Sequence, residues 1–215
     1  MTDDRGHRIR GIYVLADDDP ARRHPPRTTL EAALEAGVST IQLRIKHATD
    51  HEALELCRWA VSRSAASGAA VVVNDRFDLA DLAGASGVHL GDQDLPPERI
   101  PAALRERLLV GLSTHTLEQV RASVERPIDY VAFGPVFGTR SKQSSWTPRG
   151  IELLAEAVEL ARHPLVAIGG ITLRSLKQVR AAGAAAAAVI AAVGDAEDPV
   201  RATRELIEAF AEGAS

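Results

Sequence analysis

The chain has 215 residues, 46% of them hydrophobic and 25% charged, with only 4% aromatic and a formal net charge of −4. That balance is ordinary for a globular protein. It excludes a general nucleic-acid binder, which needs a basic face; the one cysteine, Cys57, excludes an internal disulfide, and no stretch reaches the ~18 uninterrupted apolar residues of a membrane span.

Taken in chain order, the polar start Met1–Arg8 has no apolar run after it, unlike an export signal, so a cytoplasmic location is expected, with residues 1–9 a flexible tail. Short apolar, β-branched runs then recur as strand candidates: 11–17, 39–45, 70–75, 87–91, 108–113, 129–134, 165–170 and 186–193. Amphipathic stretches follow them. They begin at Thr29, run over 52–66, 77–83 and 97–107, restart at Thr116, and continue over 151–161, 173–182 and 198–211. Thr172 and Asp198, the latter followed by Pro199, read as helix N-caps. Gly37, Gly68 and Gly183 fall where helices end. Cys57 sits in the apolar pattern of its helix and reads as core. Eight strand–helix units in 215 residues imply one α/β domain, a closed (β/α)8 TIM barrel over 1–215. An open doubly wound sheet would want a glycine-rich turn after the first strand, where Asp17-Asp18-Asp19-Pro20 stands instead.

In such a barrel the chemistry lies at the C-terminal strand ends, and here those ends are polar. After strand two, alternation places Gln42, Arg44 and Lys46 on one face; two inward cations are costly unless an anion meets them. A structural ion pair would satisfy one of them. Strand three ends Asn74-Asp75, and Asp94 follows strand four with Asp92 close by. Singly these acids read as turn residues; as a pair facing Arg44 and Lys46 they suit a hard cation such as Mg²⁺ on a pyrophosphate. Strand five leads into Ser113-Thr114-His115. His89 and His115 each read equally as core histidines or as acid–base groups. After strand six a loop of about 14 residues, the longest expected, reads as a lid. Its Thr139–Lys142 segment suits phosphate oxygens, and Trp146 would pack on the rim. Strand seven ends Gly169-Gly170 before a helix, the usual phosphate position in these barrels.

The segments Ile41–Lys46, Val73–Arg76, Gly87–Pro96, Gly111–Thr116, Phe133–Phe137 with Thr139–Lys142, and Ala167–Ile171, in this order and spacing, resemble the thiamine-phosphate synthase family over nearly the whole chain. The resemblance implies a transferase of thiamine biosynthesis. It would join 4-amino-2-methyl-5-hydroxymethylpyrimidine pyrophosphate to 4-methyl-5-(2-phosphooxyethyl)thiazole and release pyrophosphate. It implies Mg²⁺ on Asp75 and Asp94, and pyrophosphate on Arg44, Lys46, Asn74 and Lys142. Gln42, Ser113 and Thr139 would meet the pyrimidine or its leaving group. Ser141, Gly170 and the Ile190-Ala191 backbone would meet the thiazole phosphate. Arg44, Lys46, Ser113 and Lys142 would be the catalytic groups.

Three departures from the family pattern stand out: Ala191 in place of the usual Ser, Asp92-Gln93 in place of Gln-Glu, and Ser141 in place of the commoner Thr. The partners expected are therefore two small molecules, with no nucleic acid and no membrane; oligomeric state is not legible. The alternatives are a related aminothiazole tautomerase working through His115 without Mg²⁺, and a non-catalytic barrel that binds a phosphate ligand. A phosphosugar isomerase would need a glutamate base at a late strand end, and the sequence has none there.

Overall fold

The computed structural model describes Gly6 and residues 9–138 and 146–213. Its centre is a closed barrel of parallel strands in chain order: β1 (Gly11–Asp17), β2 (Thr40–Arg44), β3 (Ala70–Asn74), β4 (Gly87–Leu90), β5 (Leu109–Thr114), β6 (Tyr130–Phe133), β7 (Leu165–Ile168) and β8 (Ala186–Val189). The ring closes where β8 pairs with β1, Gly11 beside Ala186 and Val14 beside Val189. The outer layer comprises α1 (Pro26–Glu35), α2 (Asp50–Ser64), α3 (Phe77–Ala83), α4 (Ala102–Arg105), α5 (Leu117–Ser123), α6 (Gly150–Leu160), α7 (Leu176–Ala181), α8 (Ala191–Gly194) and α9 (Pro199–Glu212). Among the described residues no helix is long and apolar enough to cross a membrane.

The period of two along each strand sorts side chains between two cores. Val14, Ile41, Leu43, Val71, Val73, Val88, Leu90, Val110 and Val131 face the helices. Tyr13, Leu15, Val72, Leu109, Tyr130, Ala132, Val166, Ala186 and Ala188 fill the barrel. Ile9 joins this inner cluster at 1% exposure, so the expectation of a flexible tail over 1–9 does not hold there: an isoleucine closing the barrel floor is held by the apolar area it buries. Cys57 is fully buried, as the helical pattern required, and burial pushes its thiol up to about 11.

Local chemistry accounts for the element boundaries. Thr49 caps α2 with a reciprocal Thr49–Glu52 box, and Thr116 does the same for α5 with Gln119. Asp198 caps α9 by accepting from the Arg201 N–H, with Pro199 in the first turn. Three expectations need correction. The helix expected over 97–107 is broken into a 3-10 turn (Pro97–Arg99) and α4, because Pro101 keeps Ile100 extended, at ψ 130°. Thr172 does not cap α7; it forms a turn with Ser175, and the helix starts at Leu176. The strand expected over 186–193 stops at Val189, since the alanines beyond it favour helix, and α8 forms at the barrel mouth.

Candidate active site

A cavity of about 660 Å³ opens at the C-terminal end of the strands, within the range of small-molecule sites. Its floor is a chain of hydrogen bonds across the barrel. Gln42 Nε2 donates to the Tyr13 hydroxyl at 2.9 Å. The Tyr13 and Tyr130 hydroxyls are 2.9 Å apart. Tyr130 Oη lies 3.1 Å from His89 Nδ1, and His89 Nε2 lies 2.9 Å from Ser113 Oγ. An amide N–H can only donate, so one proton arrangement satisfies every link and also leaves neither tyrosine proton without an acceptor in the chain. Tyr13 donates to Tyr130, Tyr130 to Nδ1, and Nε2–H to Ser113. The serine keeps its own proton for whatever occupies the cavity. Burial drives both tyrosine hydroxyls well above their usual range, so they stay neutral.

Space for this chain is made by Gly111, where a Cβ would collide with the Tyr130 ring and hydroxyl and with His89 Nδ1. Gly111→Ala is expected to cost about 1–3 kcal/mol through overpacking, read as a lowered midpoint in denaturant. An unchanged midpoint would mean that the ring and hydroxyl can shift freely.

On the β2–β4 side the mouth carries charge. Arg44 Nη1 donates to Asp17 Oδ1 at 2.8 Å; the Asp17 side chain is 1% exposed, and its Oδ2 has no partner among the described residues. Lys46 pairs with Asp75. The backbone there is set by Asp18, whose carboxylate accepts the N–H groups of Lys46, His47 and Ala48 at 2.7–3.1 Å. Asp75 is the one non-glycine among the described residues at positive φ, 65°, a strained conformation that persists where the surroundings enforce it. Asp94 takes the Gly91 N–H at 2.6 Å and lies against Asp75. Burial, then the neighbouring Asp75 carboxyl, raises its pKa. Two apposed carboxylates with one lysine leave negative charge to be met, and hard oxygens of this kind suit Mg²⁺, which takes one or two carboxylates and fills its shell with water and phosphate. Among the described residues no group of three or more acidic, histidine or cysteine side chains gathers to hold a metal, so any cation here would need ligand oxygens as well.

The β7–β8 side is different. Gly169, Gly170, Ile190 and Ala191 line the cavity. Gly170 sits at φ 62°, where a Cβ would meet Phe137 at 2.9 Å. His115 donates from Nδ1 to the Gly134 carbonyl at 2.6 Å and stacks on Trp146, ring centroids 4.9 Å apart.

The cavity thus brings together Gln42, Arg44, Asn74, Ser113, Gly170, Ile190 and Ala191, with Asp92 also on its wall. Lys46, Asp75 and Asp94 form an interacting group, the two acids next in sequence to the lining residues Asn74 and Gln93, but none of the three is itself among the lining residues. Thr139, Ser141 and Lys142 lie outside the described residues. Sequence reasoning missed Tyr13, Tyr130, Asp17, Asp18 and Arg22. The chain holds just two tyrosines, both at inward strand positions, and that was the available signal.

A profile of the thiamine monophosphate synthase family matches residues 12–193. The thiamine-phosphate synthase of Anaeromyxobacter dehalogenans is 44% identical over 97% of this chain and 91% of its own length. That of Synechococcus sp. (strain WH7803) is 43% identical over 89% of this chain, which spans 53% of that longer relative. Among solved structures, the thiamine phosphate pyrophosphorylase of Pyrococcus furiosus superimposes with a TM-score of 0.85 at 33% identity, covering 98% of this chain and 99% of that one. The profile match, the identities and the closed barrel agree: the chain belongs to the thiamine monophosphate synthase family.

Proposed function

We propose that the chain is a Mg²⁺-assisted transferase that joins 4-amino-2-methyl-5-hydroxymethylpyrimidine pyrophosphate to 4-methyl-5-(2-phosphooxyethyl)thiazole, giving thiamine phosphate and pyrophosphate. The observation that carries this reading is one cavity with two anion poles on opposite sides of a barrel. Arg44 and Asn74, with the Lys46–Asp75–Asp94 group beside them, form one pole, and Gly170, Ile190 and Ala191 line the other. Two phosphorylated substrates fit such a site, the pyrimidine ring resting over the Gln42–Tyr13–Tyr130–His89–Ser113 floor.

The chemistry follows from charge. Heterolysis of the methylene C–O bond sends its electron pair out with pyrophosphate and leaves a cation delocalised into the aminopyrimidine. Arg44 and Lys46, fixed by Asp17 and Asp75, meet the developing negative charge without having to reorganise, which is how a preorganised site lowers a barrier. Mg²⁺ held by Asp75 and Asp94 would neutralise the same leaving group. The Ser113 hydroxyl, oriented by His89, donates toward the pyrimidine end. The thiazole nitrogen then supplies its lone pair to the methylene carbon. That nitrogen carries no proton, so no base and no protein nucleophile is needed.

The reading is tested by incubating the protein with both substrates and Mg²⁺ and following product by mass spectrometry. Thiamine phosphate is expected when both substrates are present and from neither alone. Folded protein that gives no product, yet isomerises a thiazole phosphate without Mg²⁺ in a manner lost in His115→Ala, would replace this reading with the tautomerase.

A further inference from the structure

Besides Arg44, the cavity is lined by a second cation, Arg22. Arg22, in the loop between β1 and α1, lines the same cavity as Gly170, Ile190 and Ala191. Its side chain is 10% exposed and its Nη1 donates to Asp195 at 2.5 Å. Its Nε is buried and has no partner among the described residues. The loop is fastened to the segment after β8: the Arg23 N–H reaches Asp195 Oδ1 at 3.2 Å, the His24 N–H reaches the Gly194 carbonyl at 3.0 Å, and His24 Nε2 lies 2.8 Å from the Ala196 carbonyl. Arg22 is therefore held in place beside α8. Asp195 takes one of the guanidinium's five N–H groups, so donors remain for a ligand in the cavity that Arg22 lines. Nearby, residue 191 is an alanine and supplies no side-chain donor.

We propose that Arg22 is a specificity-determining residue that binds the phosphate of the thiazole substrate, its guanidinium donating to a phosphate oxygen from the cavity wall while Asp195 orients it. The inference rests on the proposed function. A dianionic phosphate outweighs the single charge of Asp195, so the cation still carries attraction for it. A planar guanidinium with spare N–H groups suits phosphate oxygens better than a point charge does. The site would thus favour the phosphorylated thiazole over the free alcohol, and a side-chain cation would supply what Ala191 does not.

The test compares wild type, Arg22→Gln and Arg22→Lys, with thiazole phosphate and with the unphosphorylated thiazole alcohol as acceptors. For Arg22→Gln, KM for thiazole phosphate is expected to rise roughly ten- to hundredfold, the loss of a charge-assisted hydrogen bond. KM for the pyrimidine pyrophosphate should stay within about twofold, because a lost ground-state contact acts on its own substrate. Use of the alcohol should change little. Arg22→Lys should recover part of the loss, and Ala191→Ser in the Arg22→Gln background should lower KM for thiazole phosphate again. An unchanged KM for thiazole phosphate would overturn the proposal, and so would equal losses with phosphate and alcohol, the signature of a loop that merely holds the mouth together. If wild type makes no thiamine phosphate, the functional reading itself fails. Calorimetric binding of thiazole phosphate to wild type and Arg22→Gln then decides the role of Arg22 separately: equal affinities overturn it, and weaker binding to the variant upholds it.

Discussion

Asp75→Asn is expected to slow pyrophosphate release by about a hundred- to a thousandfold, the scale of removing one well-placed electrostatic group from an active site. It should also raise the Mg²⁺ concentration needed for half-maximal rate. Asparagine is the informative choice, because residue 75 sits at φ 65° and Asn tolerates that conformation better than Ala. The variant keeps the backbone and the volume and removes the charge. Two consequences follow at once: Lys46 loses its ion-pair partner, and Asp94 loses the neighbour that, after burial, raises its pKa. Asp94 alone would then face the cation. Steady-state rates across a Mg²⁺ titration check the expectation. A variant with wild-type rate and wild-type Mg²⁺ dependence would show that Asp75 serves the local backbone and not the leaving group.

The second large effect is expected at Arg44, where stability and activity separate. Arg44→Met keeps the aliphatic stem but strips the charge from a pair whose acid is 1% exposed and already has one oxygen without a partner among the described residues. Leaving a buried charge uncompensated costs about 3–5 kcal/mol. In a chain of this size each kcal/mol shifts the melting temperature by about 2–4 °C, so the midpoint should fall by roughly 6–20 °C. Pairing the change with Asp17→Asn removes the orphaned charge, and most of the lost stability should return. Activity should not, since the pyrophosphate pole still lacks its guanidinium. Thermal melts and pyrophosphate release on the same three proteins settle the matter. A single variant as stable as wild type, or a double variant that recovers turnover, would contradict this account of Arg44.

What the sequence made legible, and what it did not, divides along physical lines. Gln42, Arg44, Asn74 and Ser113 were readable because inward alternation and strand-end position are both properties of a short segment. The proximity of Asp75 and Asp94 was readable as two acids after adjacent strands. The Tyr13–Tyr130–His89 chain was not: its first link joins residues 117 apart, and it exists only once β1 and β6 face each other across the closed barrel. Asp17 and Asp18 read only as standing where a glycine-rich turn would be, yet one is a buried counter-ion and the other orders the loop carrying Lys46. Arg22 was silent for the same reason, since its neighbours come from β8 and α8 at the far end of the chain. The overlong strand at 186–193 shows the opposite failure, a run of alanines whose small size lets them line a barrel or open a helix with equal ease.

The most direct test of the central claim is pyrophosphate release by chelator-treated wild-type protein. Each substrate is supplied alone and then both together, with Mg²⁺ withheld and then restored. Release is expected with both substrates and restored Mg²⁺, and otherwise at no more than a small fraction of that rate. Full release without Mg²⁺, or with the thiazole phosphate omitted, would contradict a metal-assisted substitution completed by the thiazole nitrogen.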